Sequence, residues 1–331
     1  MSKTGTQLSP SELSLLLSPE LQRAHRLADA ADAISLSRYL AIDLVVETKP
    51  DTTPVTDADR AVERSIRAIL EQDAPRDLII GEEFGGKELL ETAEPGTRFW
   101  IIDPIDGTKN FLRGIPTWAT LIAQGQITSD GKKVIDRGVV SAPALGRRWW
   151  AERGNGAYVT ENFAPASPLS IVQTLASPTP ASPVSTSQTP TSQTPKTPSE
   201  NSTTSADSSP ATRRITVSKV GSLKDASLSY SDLIGWGTRK DAFSALLEDV
   251  WRTRALGDFL SHMLVAEGAV DIAAEPSLAL WDMAALAIII EEAGGLFTSL
   301  DGVDGPFGDS GLTTNGRLHE EILRRLQGTR Q

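Results

Sequence analysis

Trp100-Ile101-Ile102-Asp103-Pro104-Ile105-Asp106-Gly107-Thr108 is the stretch from which the rest of the chain can be read. An apolar run rich in β-branched and aromatic residues predicts a strand that ends at Asp103, where Pro104 stops ladder pairing, and Asp106 follows one turn later. Two carboxylates then converge beyond the strand end, with the Ile105 carbonyl between them. Hard divalent cations such as magnesium take such all-oxygen ligand sets. Gly107 and Thr108 follow where a helix or turn begins, so their backbone N–H groups can receive an anion and Gly107 permits close approach. Asp, Pro and Gly also favour ordinary turns, which leaves a plain turn as the alternative for the hexapeptide alone.

Outward from this stretch, Gly81-Glu82-Glu83 ends another apolar run and offers carboxylates at a second strand end. Trp281-Asp282 opens a strongly apolar helix, where a buried aspartate needs a cation or hydrogen-bond donors, or serves as a helix cap. Thr56-Asp57 stands at a helix start, again with simple capping as the alternative, and Thr56 with Asp59 forms a capping signature for a helix to about Gln72. Residues 18–41 predict a helix with Ser18 and Pro19 at its start. Strands are expected over 77–81, 98–102, 117–123, 134–142, 147–151, 157–159, 214–219, 270–274 and 296–299. Helices are expected over 241–251, 259–267, 282–293 and 318–326.

Composition narrows the function classes. The 331 residues carry a formal charge of −11, which argues against a protein that tracks a nucleic-acid backbone. There is no cysteine, which excludes disulfides, thiolate nucleophiles and Cys-based metal sites, and the three histidines (His25, His262, His319) are far apart. Leu13–Leu17 is too short for a signal peptide, and the apolar run 278–290 contains Asp282 and falls short of a membrane span. The expectation is a soluble, cytoplasmic protein without a membrane partner. Residues 164–212 consist mainly of Ser, Thr, Pro, Gln and Ala, too little apolar surface to offset ordering entropy of roughly 1–2 kcal/mol per residue. They read as a disordered insertion in a single domain spanning 18–331, with 1–17 as a flexible extension.

The three separated motifs, Gly81-Glu82-Glu83, the Asp103-to-Thr108 stretch and Trp281-Asp282-Met283-Ala284-Ala285, resemble the inositol monophosphatase family of magnesium phosphatases, in that order and across nearly the whole chain. The resemblance implies an α/β fold, an αβαβα layered sandwich of the inositol monophosphatase/fructose-1,6-bisphosphatase type, and a homodimer. It implies two or three Mg²⁺ ions, with Glu82, Asp103 and the Ile105 carbonyl holding one and Asp103, Asp106 and Asp282 a second. Thr108 paired with Asp57 would orient and help deprotonate the attacking water, with Glu82 also in the catalytic set. The Gly107 and Thr108 amides would hold phosphate oxygens. Lys49 falls where relatives often place a lysine over the metals, or is simply solvated.

The chemistry agrees with that division of labour. Phosphate-monoester hydrolysis requires accelerations on the order of 10²¹-fold, and one carboxylate base supplies about 10²–10⁴-fold. Two cations about 3.5–4 Å apart can cover the difference. A phosphoaspartate route needs Asp-x-Asp, and here the aspartates are three apart.

For the leaving group, Arg254-Ala255-Leu256-Gly257-Asp258-Phe259 stands where relatives have small residues, and Glu275 where they contact the substrate alcohol. With 270–276, this resembles the actinobacterial branch that hydrolyses L-histidinol phosphate. Glu82, Ile105, Asp106, Gly107, Thr108, Arg254, Gly257, Asp258, Glu275 and Asp282 are thus the expected substrate contacts. An acidic pair suits a small phosphate ester that carries an ammonium and an imidazole. Asp258 also suits a helix cap, Arg254 a structural ion pair, and His262 a packed position. An inositol-phosphate or broad sugar-phosphate phosphatase is the alternative activity, and a divalent-ion-binding scaffold the non-enzymatic one.

Overall fold

Ser9 caps the first helix, its Oγ accepting from Glu12 N at 3.3 Å while Glu12 reaches back to Ser9 N at 2.8 Å. In the computed structural model, which describes residues 8–50, 53–163 and 210–328, this helix α1 (Pro10–Leu16) is docked. Leu8, Leu13, Leu16 and Leu17 pack against an apolar cluster beneath the next helix, and Leu8 N donates to Thr212 O at 2.9 Å. The flexible extension expected over 1–17 is therefore packed structure from residue 8 onward.

Helix α2 (Pro19–Arg38) begins as its caps dictate, with Ser18 Oγ accepting from Leu21 N at 3.1 Å. A small hairpin, β1 (Val46–Thr48) with β2 (Pro54–Thr56), leads into α3 (Asp57–Asp73). Leu21, Leu27, Val62, Ile66 and Leu70 form the shared apolar face of α2 and α3, laid on Trp100, Ile102, Ile122 and Val139 of the main sheet.

That sheet has seven strands: β3 (Leu78–Gly81), β4 (Arg98–Asp106), β5 (Ala119–Ile127), β6 (Lys133–Ala142), β7 (Arg147–Glu152), β8 (Gly156–Glu161) and β9 (Ala211–Ile215), paired in that order. Only the β3–β4 pair is parallel. A one-turn helix α4 (Leu89–Thr92) joins β3 to β4, and α5 (Thr108–Leu112) follows β4. The second sheet contains β10 (Ser227–Ser229), β11 (Arg252–Arg254), β12 (Ile272–Glu275), β13 (Leu296–Thr298) and β14 (Gly311–Thr314), in the spatial order β11-β10-β12-β14-β13. Its outer face is covered by α6 (Lys240–Asp249) and α9 (His319–Gln327), whose Phe243, Leu246, Ile322 and Leu326 pack on Leu228, Ile272 and Leu312.

Between the sheets lie α7 (Asp258–Ala266) and α8 (Leu280–Glu292). Nine of the thirteen α8 residues are buried, as expected of a helix apolar on every side that fills the middle of a domain. The order of layers is α2/α3, seven strands, α7/α8, five strands, α6/α9, an αβαβα sandwich. No helix among the described residues is long and apolar enough to cross a membrane.

Two expectations change in this frame. Strand β9 begins at Ala211, inside the stretch 164–212 read as an insertion, because Ala211 and Thr212 complete the ladder with Glu161 and Thr160; residues 164–209 lie outside the described residues. Strand β4 does not stop at Asp103. It runs to Asp106 with a register shift, Asp103 facing Leu121 and Asp106 facing Ala119. Three steps on β4 therefore match two on β5, and the extra residue is a bulge at Pro104, where the missing N–H costs no ladder bond. The Pro104 carbonyl is satisfied from the side, by Thr120 Oγ1 at 2.8 Å.

Candidate active site

The bulge decides where the two aspartates point. Side chains alternate faces along a regular strand, so residues three apart would lie on opposite sides. One extra residue cancels that offset and returns Asp103 and Asp106 to one side. Asp282, in the first turn of α8, joins them, and one carboxylate oxygen from each of the three lies within 4.8 Å of the others. Each aspartate keeps one local tie that aims it. Asp103 Oδ1 accepts from Ile105 N at 3.0 Å, Asp106 Oδ2 from Phe259 N at 2.7 Å, and Asp282 Oδ2 from Ala279 N at 2.8 Å. Asp282 thus caps α8 with one oxygen and turns to the cluster as well, so the two readings of this residue are both realised.

Glu82, just past β3, is held over the cluster by Lys49, whose Nζ lies 2.6 Å from Glu82 Oε1 and 2.5 Å from Glu83 Oε1. The loop itself is pinned from below by the buried Glu63 on α3, which accepts from Glu83 N at 2.8 Å and pairs with Arg67 Nε at 2.8 Å. Gly81 leaves room for that carboxylate: a Cβ would sit 1.9 Å from Glu63 Oε1.

Burial, and then the charges of neighbouring carboxylates, hold Asp103 and Asp106 well above the usual aspartate range. Burial lifts Asp282 to about 7 against the lowering effect of the Ala279 N–H. It raises Glu82 too, against the Lys49 hydrogen bond. Burial pulls the Lys49 ammonium down, but its hydrogen bonds to Glu82 and Glu83 and their charges outweigh this and keep it above its ordinary value. Mutually repelling, buried, oxygen-only donors are the arrangement that a hard divalent cation relieves. Asp103, Asp106 and Asp282 fit such an ion.

On the floor beside the cluster, Thr108 Oγ1 donates to Ile105 O at 3.0 Å and reaches Asp59 Oδ1 at 3.4 Å. Burial lifts Asp59 to about 6 against its hydrogen bonds from Thr56. Gly107, at φ +81°, lets the chain turn into α5, since a Cβ would lie 2.9 Å from Thr117 O. The opposite wall is acidic. Glu275 closes β12, and Asp258 opens α7 in the left-handed region at φ +49°, behind Gly257 at φ +75°. Ser231, after β10, donates to Glu275 Oε1 at 2.7 Å and accepts from Asp258 N at 2.9 Å. Asn110 Nδ2 donates to Asp258 Oδ2 at 2.8 Å. Burial lifts Glu275 to about 8, against the Ser231 hydrogen bond. Glu82, Asp103, Asp106, Thr108, Asp258, Glu275 and Asp282 line one cavity.

Residues 17–331 match the family model described as the inositol monophosphatase family. The chain belongs to this family. Among relatives of this inositol monophosphatase family member, the histidinol-phosphatase of Mycobacterium tuberculosis is 48% identical over 93% of the chain and 97% of its own length. The histidinol-phosphatase of Streptomyces coelicolor is 47% identical over 93% and 96%. The inositol-1-monophosphatase of Mycobacterium leprae is 31% identical over 83% and 79%. Among solved structures, the Thermotoga maritima IMPase superposes with a TM-score of 0.67 at 25% identity, covering 94% of this chain and 97% of that one.

In this inositol monophosphatase family member, two of the residues expected at the site lie elsewhere. Asp57 does not pair with Thr108. It occupies the first position of α3 and turns outward to Arg38 Nη2 at 2.8 Å, with its Oδ1 accepting from Val45 N at 3.3 Å. The capping box folds Asp59 back towards Thr56 and so into the site. Arg254 is exposed at the end of edge strand β11, donating to Thr253 O at 2.7 Å, and does not line the cavity. Gly257 serves the wall through its turn, where a Cβ would meet Ser231 Oγ at 3.1 Å. His262 lines the cavity from α7 with Nδ1 on Thr313 Oγ1 at 2.7 Å, and burial lowers it to about 4, a packed neutral ring. Ser231, Asn110 and Glu63 are additions that no motif announces.

Proposed function

We propose that the chain is a Mg²⁺-dependent histidinol-phosphatase, converting L-histidinol phosphate and water to L-histidinol and phosphate. Membership of the inositol monophosphatase family makes it a phosphoric monoester hydrolase; the substrate and the ion are the proposal. Asp103, Asp106 and Asp282 would hold Mg²⁺, with Glu82 and the Ile105 carbonyl as further donors. When bound, the ion supplies positive charge to a phosphate ester and acidifies water.

The chain's own residues do the rest. Thr108 orients the attacking water; its hydroxyl proton turns from the Ile105 carbonyl to Asp59, which burial lifts towards the operating pH, and the water's proton takes its place on Thr108 Oγ1. Gly107 keeps the approach to the α5 amides open. Asp258 and Glu275 receive the leaving alcohol's ammonium and imidazole, whose positive charge favours the ionised form of Glu275 that burial alone opposes.

The observation that carries the substrate assignment is this acidic wall, two carboxylates opposite the metal-binding cluster in one cavity. A neutral polyol gains little from Asp258, and a second phosphate is repelled by it. The histidinol-phosphatases at 47–48% identity support the same substrate. Initial rates with Mg²⁺ on histidinol phosphate, inositol 1-phosphate, fructose 1,6-bisphosphate and adenosine 3′,5′-bisphosphate test the assignment. The expected kcat/KM is highest for histidinol phosphate and abolished by EDTA. Preference for any of the other three overturns it.

A further inference from the structure

The two carboxylates of the acidic wall come from elements far apart in sequence, and nothing in either element sets their relative placement. Asp258 is also the wall's weak point. A non-glycine residue at φ +49° occupies a sparsely populated region, and such a conformation persists only where surrounding contacts hold it. It must keep that conformation beside a second acidic group.

One side chain meets both demands. Ser231 Oγ has a single proton and uses it on Glu275 Oε1 at 2.7 Å, while the same oxygen accepts the Asp258 backbone N–H at 2.9 Å. This hydroxyl therefore fixes one oxygen of Glu275 and the backbone from which Asp258 projects. Asn110 adds the third constraint. Its Nδ2 spends one proton on Asp258 Oδ2 at 2.8 Å and the other on Thr117 O at 3.0 Å, tying the carboxylate to the helix that starts at Thr108. The Ser231 backbone N–H adds a second bond to the Glu275 carboxylate, and the Lys109 ammonium lines the same cavity near Asp258. Ser231 lines the cavity alongside Glu275 and Asp258.

We infer that Ser231 is the positioning residue that sets substrate selectivity, by holding Glu275 and Asp258 as a two-point receptor for a leaving alcohol with two separated cationic or hydrogen-bond-donating groups. This rests on the substrate reading above and extends it. Contacts to the leaving group made equally before and during reaction alter KM more than kcat. Loss of the hydroxyl therefore disturbs binding of the amino alcohol while sparing the machinery at Asp103 and Thr108.

The experiment compares wild type with Ser231→Ala and the near-isosteric Ser231→Cys on histidinol phosphate and on glycerol 2-phosphate, an ester whose alcohol carries no cation. Thermal melts check that each variant is folded. The expected result for both variants is a tenfold or larger rise in KM for histidinol phosphate, with kcat within threefold. The kcat/KM for glycerol 2-phosphate should fall by less than threefold. Parallel losses on the two esters, or a KM for histidinol phosphate within twofold of wild type, overturn the role of Ser231 while leaving the substrate assignment standing. A wild-type enzyme that prefers glycerol 2-phosphate overturns the assignment itself, whatever the variants do.

Discussion

Thr108 Oγ1 lies 3.4 Å from Asp59 Oδ1, and this pair links the outer helical layer to the acidic edge of the main sheet. Removing the carboxylate as proton acceptor should cost about 10²–10⁴-fold in kcat, the usual worth of general-base assistance. Asp59→Asn is expected to lose activity on that scale, whereas Asp57→Asn, which only releases Arg38, should retain most of it. Steady-state rates for the two variants decide the point; comparable losses in both would contradict the pairing.

Gly81 leaves room for the Glu63 carboxylate that holds the Glu82–Glu83 loop. Gly81→Ala is expected to cost about 1–3 kcal/mol, the usual range for overpacking a filled interior, and to weaken Mg²⁺ binding as the loop shifts. Urea unfolding with and without Mg²⁺ measures both effects. An unchanged midpoint would show that Glu63 can move aside freely.

The site carboxyls give the metal-free protein a characteristic pH response. Asp282 rises from 3.8 to about 7 on folding and Glu275 from 4.5 to about 8. Between those limits the folded state keeps protons that the unfolded chain releases, so these groups favour folding at low pH. That stabilisation is lost as pH rises through 7 and 8. In EDTA the melting temperature should fall between pH 5.5 and 8.5. Mg²⁺ should flatten the trend, and its binding should release protons, because the ligands must ionise. Calorimetry in buffers of differing ionisation enthalpy measures the release; a proton count of zero at pH 7 would contradict it.

Lys49 competes with any cation for Glu82. An exposed ion pair is worth about 0.2–1 kcal/mol, and this one is largely shielded from solvent. Lys49→Gln should therefore tighten Mg²⁺ binding by roughly fivefold, about 1 kcal/mol. Titration calorimetry tests this, and weaker binding would assign Lys49 a supporting role instead.

The clustered aspartates are legible in the sequence because their chemistry is local. A proline-interrupted apolar run followed by Asp, Gly and Thr constrains the backbone within a few residues, and the all-round apolar character of 280–292 marks a central helix. The pairing of Thr108 is a different matter. Asp57 and Asp59 both follow the Thr56 cap, and which one reaches Thr108 depends on how α3 lies against the sheet. The capping box itself was the usable signal, since a side chain that reaches back to Thr56 N, as Asp59 does at 2.8 Å, must point towards the preceding strand. Ser231 and Asn110 reach the acidic wall through partners 27 to 148 residues away, and no spacing rule announces such contacts. The three-residue strands β10 and β11 carry no periodicity long enough to read.

Helix α8 is at once the beam on which both sheets rest and the carrier of Asp282. Repacking anywhere along Met283 to Ile290 therefore tilts a member of the acidic cluster, so this protein has few ways to trade core volume for stability without detuning its chemistry. Adaptation to new temperatures should accordingly be written in the outer helical layers, where side chains can change without reaching the catalytic floor.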